Sequence, residues 1–190
     1  MSRRVHILGA SGSGTTTLAR ALAARLDCPQ FDTDDYFWLP TRPPFTHQRP
    51  RPERHALLEA DLSRHAGWVL SGSLCGWGDV FIPRFELVVF VSLPPAVRLA
   101  RLREREQERY DAAEIAPGGA LYAAHQVFMT WAASYDDGGL DIRSRRLHEQ
   151  WLAGLPCPVL RASSLDPVDA LVAQTLHALS TMNQVRDPGV

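Results

Sequence analysis

Lysine is absent from this chain of 190 residues, and all 20 of its basic residues are arginines. Cysteine is scarce as well. Cys28, Cys75 and Cys157 form no C-x-x-C pair, which argues against a zinc knuckle or a disulfide framework and suits small core residues. The seven histidines lack ligand-type spacing, so a metal held by protein side chains alone is not expected. There is little charge imbalance: a net charge of −1 and a pI near 6.6 offer no general attraction to nucleic acid or anionic membrane. No apolar run reaches the length of a membrane span. Arg3 and Arg4 lead almost directly into an apolar segment with no secretory h-region, so a cytoplasmic protein is expected. Internal repeats and long low-complexity stretches are missing too. What remains is a chain long enough for one domain with a real core, expected over 1–182, followed by a polar, frayed tail over 183–190.

Against this plain background one stretch stands out. Gly9-Ala10-Ser11-Gly12-Ser13-Gly14-Thr15-Thr16-Thr17-Leu18 follows the apolar Val5, Ile7 and Leu8 and opens a helix with Leu18, Leu22 and Leu26 on one stripe. Strand, glycine-rich turn and helix N-terminus together let backbone amides converge on an anion, most naturally a phosphate chain. The end glycines and Thr16 fit the P-loop spacing, but Thr15 stands where that motif has lysine. A genome that avoids lysine would place arginine there, so the missing charge is either dispensed with or supplied from elsewhere. Two other readings compete. One is an ordinary Ser/Thr helix cap in a flexible loop. The other is a dinucleotide-binding turn, Gly9-x-x-Gly12-x-Gly14 with Asp32 about 20 residues on, although Thr17 replaces the third glycine or alanine.

Further along, Gln30–Asp32 reads as a second strand ending in Asp32-Thr33-Asp34-Asp35. In an extended segment Asp32 and Asp34 point the same way, one to hold a water on Mg²⁺ and the other to take a proton from an attacking hydroxyl. A proline- and arginine-rich stretch over 40–52 with Arg42, Arg49 and Arg51 is irregular. A helix follows from about Glu53 to His65. With Tyr36, Phe37 and Trp38 this stretch suggests an acceptor pocket of aromatic walls and guanidinium groups; Arg54 and, from a later loop, Trp77 are further candidates. Trp68–Leu70 and Leu87–Val91 read as inner strands, and Pro158–Arg161 as a fifth strand. After Pro94-Pro95, Arg98, Arg101, Arg105 and Arg109 share a helical face. They serve either as a solvated face stitched to Glu104 and Glu108 or as a source of the missing charge. Glycine-flanked helical pieces over about 110–146 suggest a lid, and Arg143, Arg145 and Arg146 are read as part of its second helix. The stripe Val168, Leu171, Val172, Thr175, Leu176 and Leu179 forms a closing helix.

These motifs resemble the adenylate kinase/shikimate kinase branch of small P-loop kinases over nearly the whole length. The resemblance rests on Gly9–Thr16, on Asp32-Thr33-Asp34, and on Arg101-Leu102-x-x-Arg105 leading into a lid. It implies an α/β three-layer fold with a five-stranded parallel sheet in the order 2-3-1-4-5, helices on both faces and a helical lid. It further implies ATP and Mg²⁺ as cofactors, a nucleotide site formed by Gly9, Ser11, Gly12, Ser13, Gly14, Thr15, Thr16 and Thr17, and metal contact at Thr16 and Asp32. Arg101, Arg105 and Ser163 would lie near the adenine and phosphates. Asp34, Arg101, Arg105 and Arg143 are the catalytic candidates, and Asp34, Tyr36, Trp38, Arg42, Arg54 and Trp77 the acceptor-site candidates. Besides Thr15, the chain departs from the pattern at Ser71-Gly72, where nucleotide kinases show Asp-Gly. The implied activity is phosphoryl transfer to a small hydroxyl- or phosphate-bearing metabolite by a monomer or homodimer. The alternatives are a nucleotide-binding regulator without efficient chemistry and an NAD(P)-binding oxidoreductase.

Overall fold

The computed structural model describes residues 3–186, and for 183–186 the backbone alone. Five parallel strands form its centre: β1 (Arg4–Gly9), β2 (Gln30–Asp32), β3 (Trp68–Ser71), β4 (Leu87–Ser92) and β5 (Val159–Ser163), in the order β2-β3-β1-β4-β5. Successive residues of a strand face opposite sides of the sheet, and here both sides are covered, so the inner strands are apolar throughout. Val5 and Ile7 of β1 join Leu87, Val89 and Val91 of β4 beneath α1 (Thr15–Leu26) and α8 (Val168–Arg186). Leu8, Val88 and Phe90 point the other way, into a core with Leu58 and Leu62 of α3 (Arg51–Ser63), Phe81 and Phe85, and Leu152 of α7 (Arg145–Ala153). The result is three layers.

The five-residue helix α2 (Thr33–Phe37) begins directly after β2, so Asp32 and Asp34 do not alternate along an extended segment as expected. The cause is local. The Asp32 carboxylate accepts the Asp34 amide at 3.1 Å and caps the helix, which turns the chain at once. The proline-rich stretch folds back on itself: Leu39 N–H donates to the His47 carbonyl at 2.9 Å and Arg49 N–H to that of Phe37 at 2.8 Å. After α4 (Pro95–Arg109), the segment expected as a lid contains α5 (Ala112–Ile115) and α6 (Tyr122–Ala133). The following helix begins at Arg145 rather than before Arg143, because the Ser144 hydroxyl accepts the Leu147 amide at 3.0 Å and caps it there; Arg143 therefore sits on a connection. The closing helix runs to Arg186, into the stretch expected as a tail, and the rest of that tail, 187–190, lies outside the described residues. Among the described residues no helix is long and apolar enough to cross a membrane.

Candidate nucleotide and acceptor site

The glycine loop closes on itself through the Ser13 amide, which donates to the Ala10 carbonyl at 3.0 Å. Its glycines answer two separate demands. A Cβ at Gly9 would stand 2.4 Å from the Val91 carbonyl oxygen of the neighbouring strand, and Gly14 adopts φ +89°, in the left-handed region that side chains avoid. Gly14 is also the N-cap of α1, and no side chain caps that helix. The Ser/Thr cap reading therefore fails: the first-turn amides of α1 have no side-chain acceptor and remain available to an anion. The dinucleotide reading fails on topology. In that fold the second strand lies beside the first, whereas here β3 lies between them.

At the carboxyl ends of β1, β2 and β3 three side chains converge. Thr16 Oγ1 donates to Asp32 Oδ2 at 2.9 Å, and Ser71 Oγ donates to the same oxygen at 2.8 Å. Gln30 Nε2 in turn reaches Ser71 Oγ at 3.1 Å. Ser71, which occupies the place of the expected acidic residue, thus holds an acid contributed by the adjacent strand. Asp34 stands beside this group. Desolvation, with repulsion from Asp32, raises its pKa above the ordinary aspartate range while Arg143 and Arg105 pull the other way.

The four arginines of interest have four different environments. Arg101 donates to Ser164 Oγ at 2.9 Å and to the Ser164 carbonyl at 3.3 Å, in the loop after β5 and close to Gly14. Ser163, at the end of β5, pairs with Ser92 of β4. Arg105 pairs with Glu106 at 3.0 Å and lies 5.9 Å from the Phe128 ring centre. The expected pairs with Glu104 and Glu108 are not those formed: Glu106 takes both Arg105 and Arg109, because it is the acid on the buried face. Arg98 is fully buried. It donates to the Ser11 carbonyl at 3.4 Å, to the Ala132 carbonyl at 2.9 Å and to Asp136 at 2.9 Å. The sequence places it in one row with Arg101, Arg105 and Arg109, but its spacing of four from Leu102 and of eight from Glu106 puts it on the buried face of α4.

Arg143 is the arginine that reaches the glycine loop with its side chain directed at a side chain there. Its Nη2 donates to Ser11 Oγ at 2.6 Å across 132 positions of sequence, and its guanidinium lies 4.5 Å from the Trp131 ring centre. Nε is sealed from solvent with no partner, and no carboxylate among the described residues forms an ion pair with it. Burial lowers its pKa, and the charge of Asp34 opposes that shift most strongly.

On the acceptor side the candidates divide. Arg54 is buried with its guanidinium 3.8 Å from the Phe37 ring centre and 5.8 Å from that of Trp77, and it donates to the Arg49 carbonyl at 2.5 Å and Gln48 Oε1 at 3.1 Å. Trp77 belongs to the core, with Nε1 donating to the Ser73 carbonyl at 3.1 Å. Tyr36 turns away, its hydroxyl donating to Asp61 at 2.8 Å. Trp38 packs edge-on against Phe37 and Phe45 nearer the surface, and Arg42 is exposed.

Comparison with known proteins places this architecture. An AAA domain family model matches residues 5–117. The uncharacterized protein YqaC of Bacillus subtilis (strain 168) is 47% identical over 181 residues, covering 95% of this chain and 99% of its own. Among solved structures, shikimate kinase from Bacteroides thetaiotaomicron superposes with a TM-score of 0.56 at 20% identity, covering 94% of this chain and 98% of its own. A gluconokinase from Sinorhizobium meliloti 1021 superposes with a TM-score of 0.51 at 17% identity, covering 95% and 93%. Identities this low establish the fold. The chain belongs to the AAA domain family, and it shares its fold with small P-loop kinases such as these two.

Proposed function

We propose that this protein transfers a phosphoryl group from ATP, with Mg²⁺, to a small hydroxyl- or phosphate-bearing metabolite, and that Arg143 takes the place of the absent P-loop lysine. The observation that carries this reading is the Arg143 guanidinium: aimed at the glycine loop, stacked on Trp131, and holding a single neutral hydroxyl as its acceptor. A planar cation with unused donors at that place suits phosphate oxygens, which it can grip two at a time.

The amides of Gly12 to Thr16 would cradle the phosphates, with Arg101 and Ser163 toward the adenine and Arg105 above the chain of phosphates. Thr16 and Asp32 suit Mg²⁺, which takes hard oxygen donors, few of them from protein. When bound, the ion neutralises part of the phosphate charge. For a hydroxyl acceptor, its oxygen forms a bond to the γ-phosphorus as the bond to the ADP oxygen breaks, and Asp34 takes the hydroxyl proton. A raised pKa makes Asp34 a better base for that task than an ordinary aspartate. The pocket of Phe37, Arg54 and Trp77, with Trp38 and Arg42 toward its rim, would orient the acceptor.

Radiolabelled ATP offered with shikimate, gluconate and a panel of related hydroxy acids tests this. Arg143→Ala should reduce turnover on the order of 10²–10³-fold, the usual cost of one preorganised donor, with smaller losses for Arg101→Ala and Arg105→Ala. Wild-type turnover in Arg143→Ala would refute the assignment. Thr15 favours a second reading, a nucleotide-binding regulator; tight ATP binding without transfer to any acceptor would support that one.

A further inference from the structure

The segment carrying Arg143 contains Asp136-Asp137-Gly138-Gly139, which the sequence marks as a hinge, yet the structure ties it down at both ends and from beneath. Across its neck the Arg145 amide donates to the Tyr135 carbonyl at 2.7 Å. Within it, Gly138 N–H donates to the Ser134 carbonyl at 2.8 Å and Ser144 Oγ to the Gly139 carbonyl at 2.6 Å. Beneath it, the Tyr135 hydroxyl lies 2.8 Å from His148 Nδ1, and His148 Nε2 lies 3.1 Å from Ser73 Oγ, in the loop that leaves β3. Tyr135, Ser144, His148 and Ser73 are all buried.

The direction of this chain of hydrogen bonds follows from chemistry. Burial pushes the pKa of His148 down to about 3, and Arg143 nearby adds to the shift, so the ring is neutral and has one N–H. Burial raises the Tyr135 pKa, so the phenol keeps its proton. That hydroxyl has no other acceptor among the described residues and donates to Nδ1; Nε2–H therefore donates to Ser73 Oγ. On the other side of Tyr135, Asp136 is held by the buried Arg98, which also grips the Ser11 carbonyl of the glycine loop.

We infer that the Tyr135–His148–Ser73 chain is a positioning device that fixes Arg143 over the glycine loop before nucleotide arrives, so that this cation is a standing part of the phosphate site and is not delivered by lid closure. This inference rests on the reading that Arg143 meets phosphate. Tyr135, His148 and Ser73 are positioning residues: they act through Arg143 and touch no substrate.

The test is a double-mutant cycle read by calorimetric binding of ATP with Mg²⁺ and of inorganic triphosphate. Tyr135→Phe alone should weaken both ligands about tenfold, the scale of one lost buried hydrogen bond, and should cause no further loss in an Arg143→Ala background. His148→Asn, whose amide oxygen can still accept from Tyr135, should bind close to wild type, whereas His148→Leu should behave like Tyr135→Phe. Ser73→Ala repeats the cycle from the far end of the chain should Tyr135→Phe fail to fold. Equal loss in both backgrounds, or wild-type binding by a folded Tyr135→Phe, overturns the positioning role and leaves the Arg143 assignment standing. Wild-type triphosphate binding by Arg143→Ala overturns that assignment and this inference with it.

Discussion

Asp34 makes the sharpest claim at the scale of single residues. Its pKa is raised chiefly by desolvation, so the acid limb of the pH–rate profile should fall above the ordinary aspartate range. Asp34→Asn should abolish that limb along with most of the turnover while ATP affinity stays within a few-fold of wild type, as a binding isotherm beside a pH–rate series would reveal. Asp32 differs although it lies two residues away, for its carboxylate accepts Thr16, Ser71 and the Asp34 amide at once. Both acids were legible in the sequence as a pair after a strand. Their geometry was not, because alternation in a strand and capping of a helix use the same residue types, and the contest is decided by Asp32 bonding back onto its own chain. Among the arginines, the sequence could nominate Arg101, Arg105 and Arg143 but could not rank them. The contact that separates Arg143 spans 132 positions.

Elements show the same division between near and far. The first strand, the glycine loop and α1 form one continuous local signal, and each lies where the sequence puts it. Helix α4 was legible as a helix with an arginine face, but its buried arginine is Arg98, whose partners Ala132 and Asp136 come from the far end of α6 and beyond. A guanidinium with 1% of its side chain exposed is costly to strand or to remove unpaired. Arg98→Ala should destabilise the fold by about 3–5 kcal/mol, the range for breaking a buried ion pair. Asp136→Asn should be similarly costly, since it leaves the buried Arg98 charge with neutral acceptors only. Urea titrations of the two variants measure this; small losses in both would mean that the pair does not brace α4 against α6.

For the whole molecule, the alternation of strands and helices made a parallel sheet legible, while its order was implied by the resemblance to small P-loop kinases and is the order observed. What the sequence could not show is that two histidines are sealed inside. His6, on β1, donates from Nδ1 to the Leu70 carbonyl at 3.1 Å, stacks on Phe85 and has its pKa pushed down to about 4; His148 is pushed down to about 3. The sign is fixed by linkage. As pH falls below about 6.5, the unfolded chain binds protons at these histidines and the folded chain does not, so stability is lost as pH drops toward the folded values. At pH 5 the loss is on the order of 2 kcal/mol per histidine. Denaturation midpoints at pH 7 and pH 5 should differ accordingly, and His6→Asn, which keeps the donor to Leu70 but does not titrate, should narrow the gap.

All three scales meet where Arg143 crosses to the glycine loop, and the most direct test of that claim exchanges one cation for another. ATP binding and phosphoryl transfer should be measured for Arg143→Ala with and without Thr15→Lys, which restores lysine to the place the loop motif reserves for it. Arg143→Ala should lose affinity and rate, and the double variant should recover a large part of both. If Arg143→Ala binds and reacts like the wild type, or if Thr15→Lys improves the wild type as much as it improves Arg143→Ala, then Arg143 does not stand in for the missing lysine.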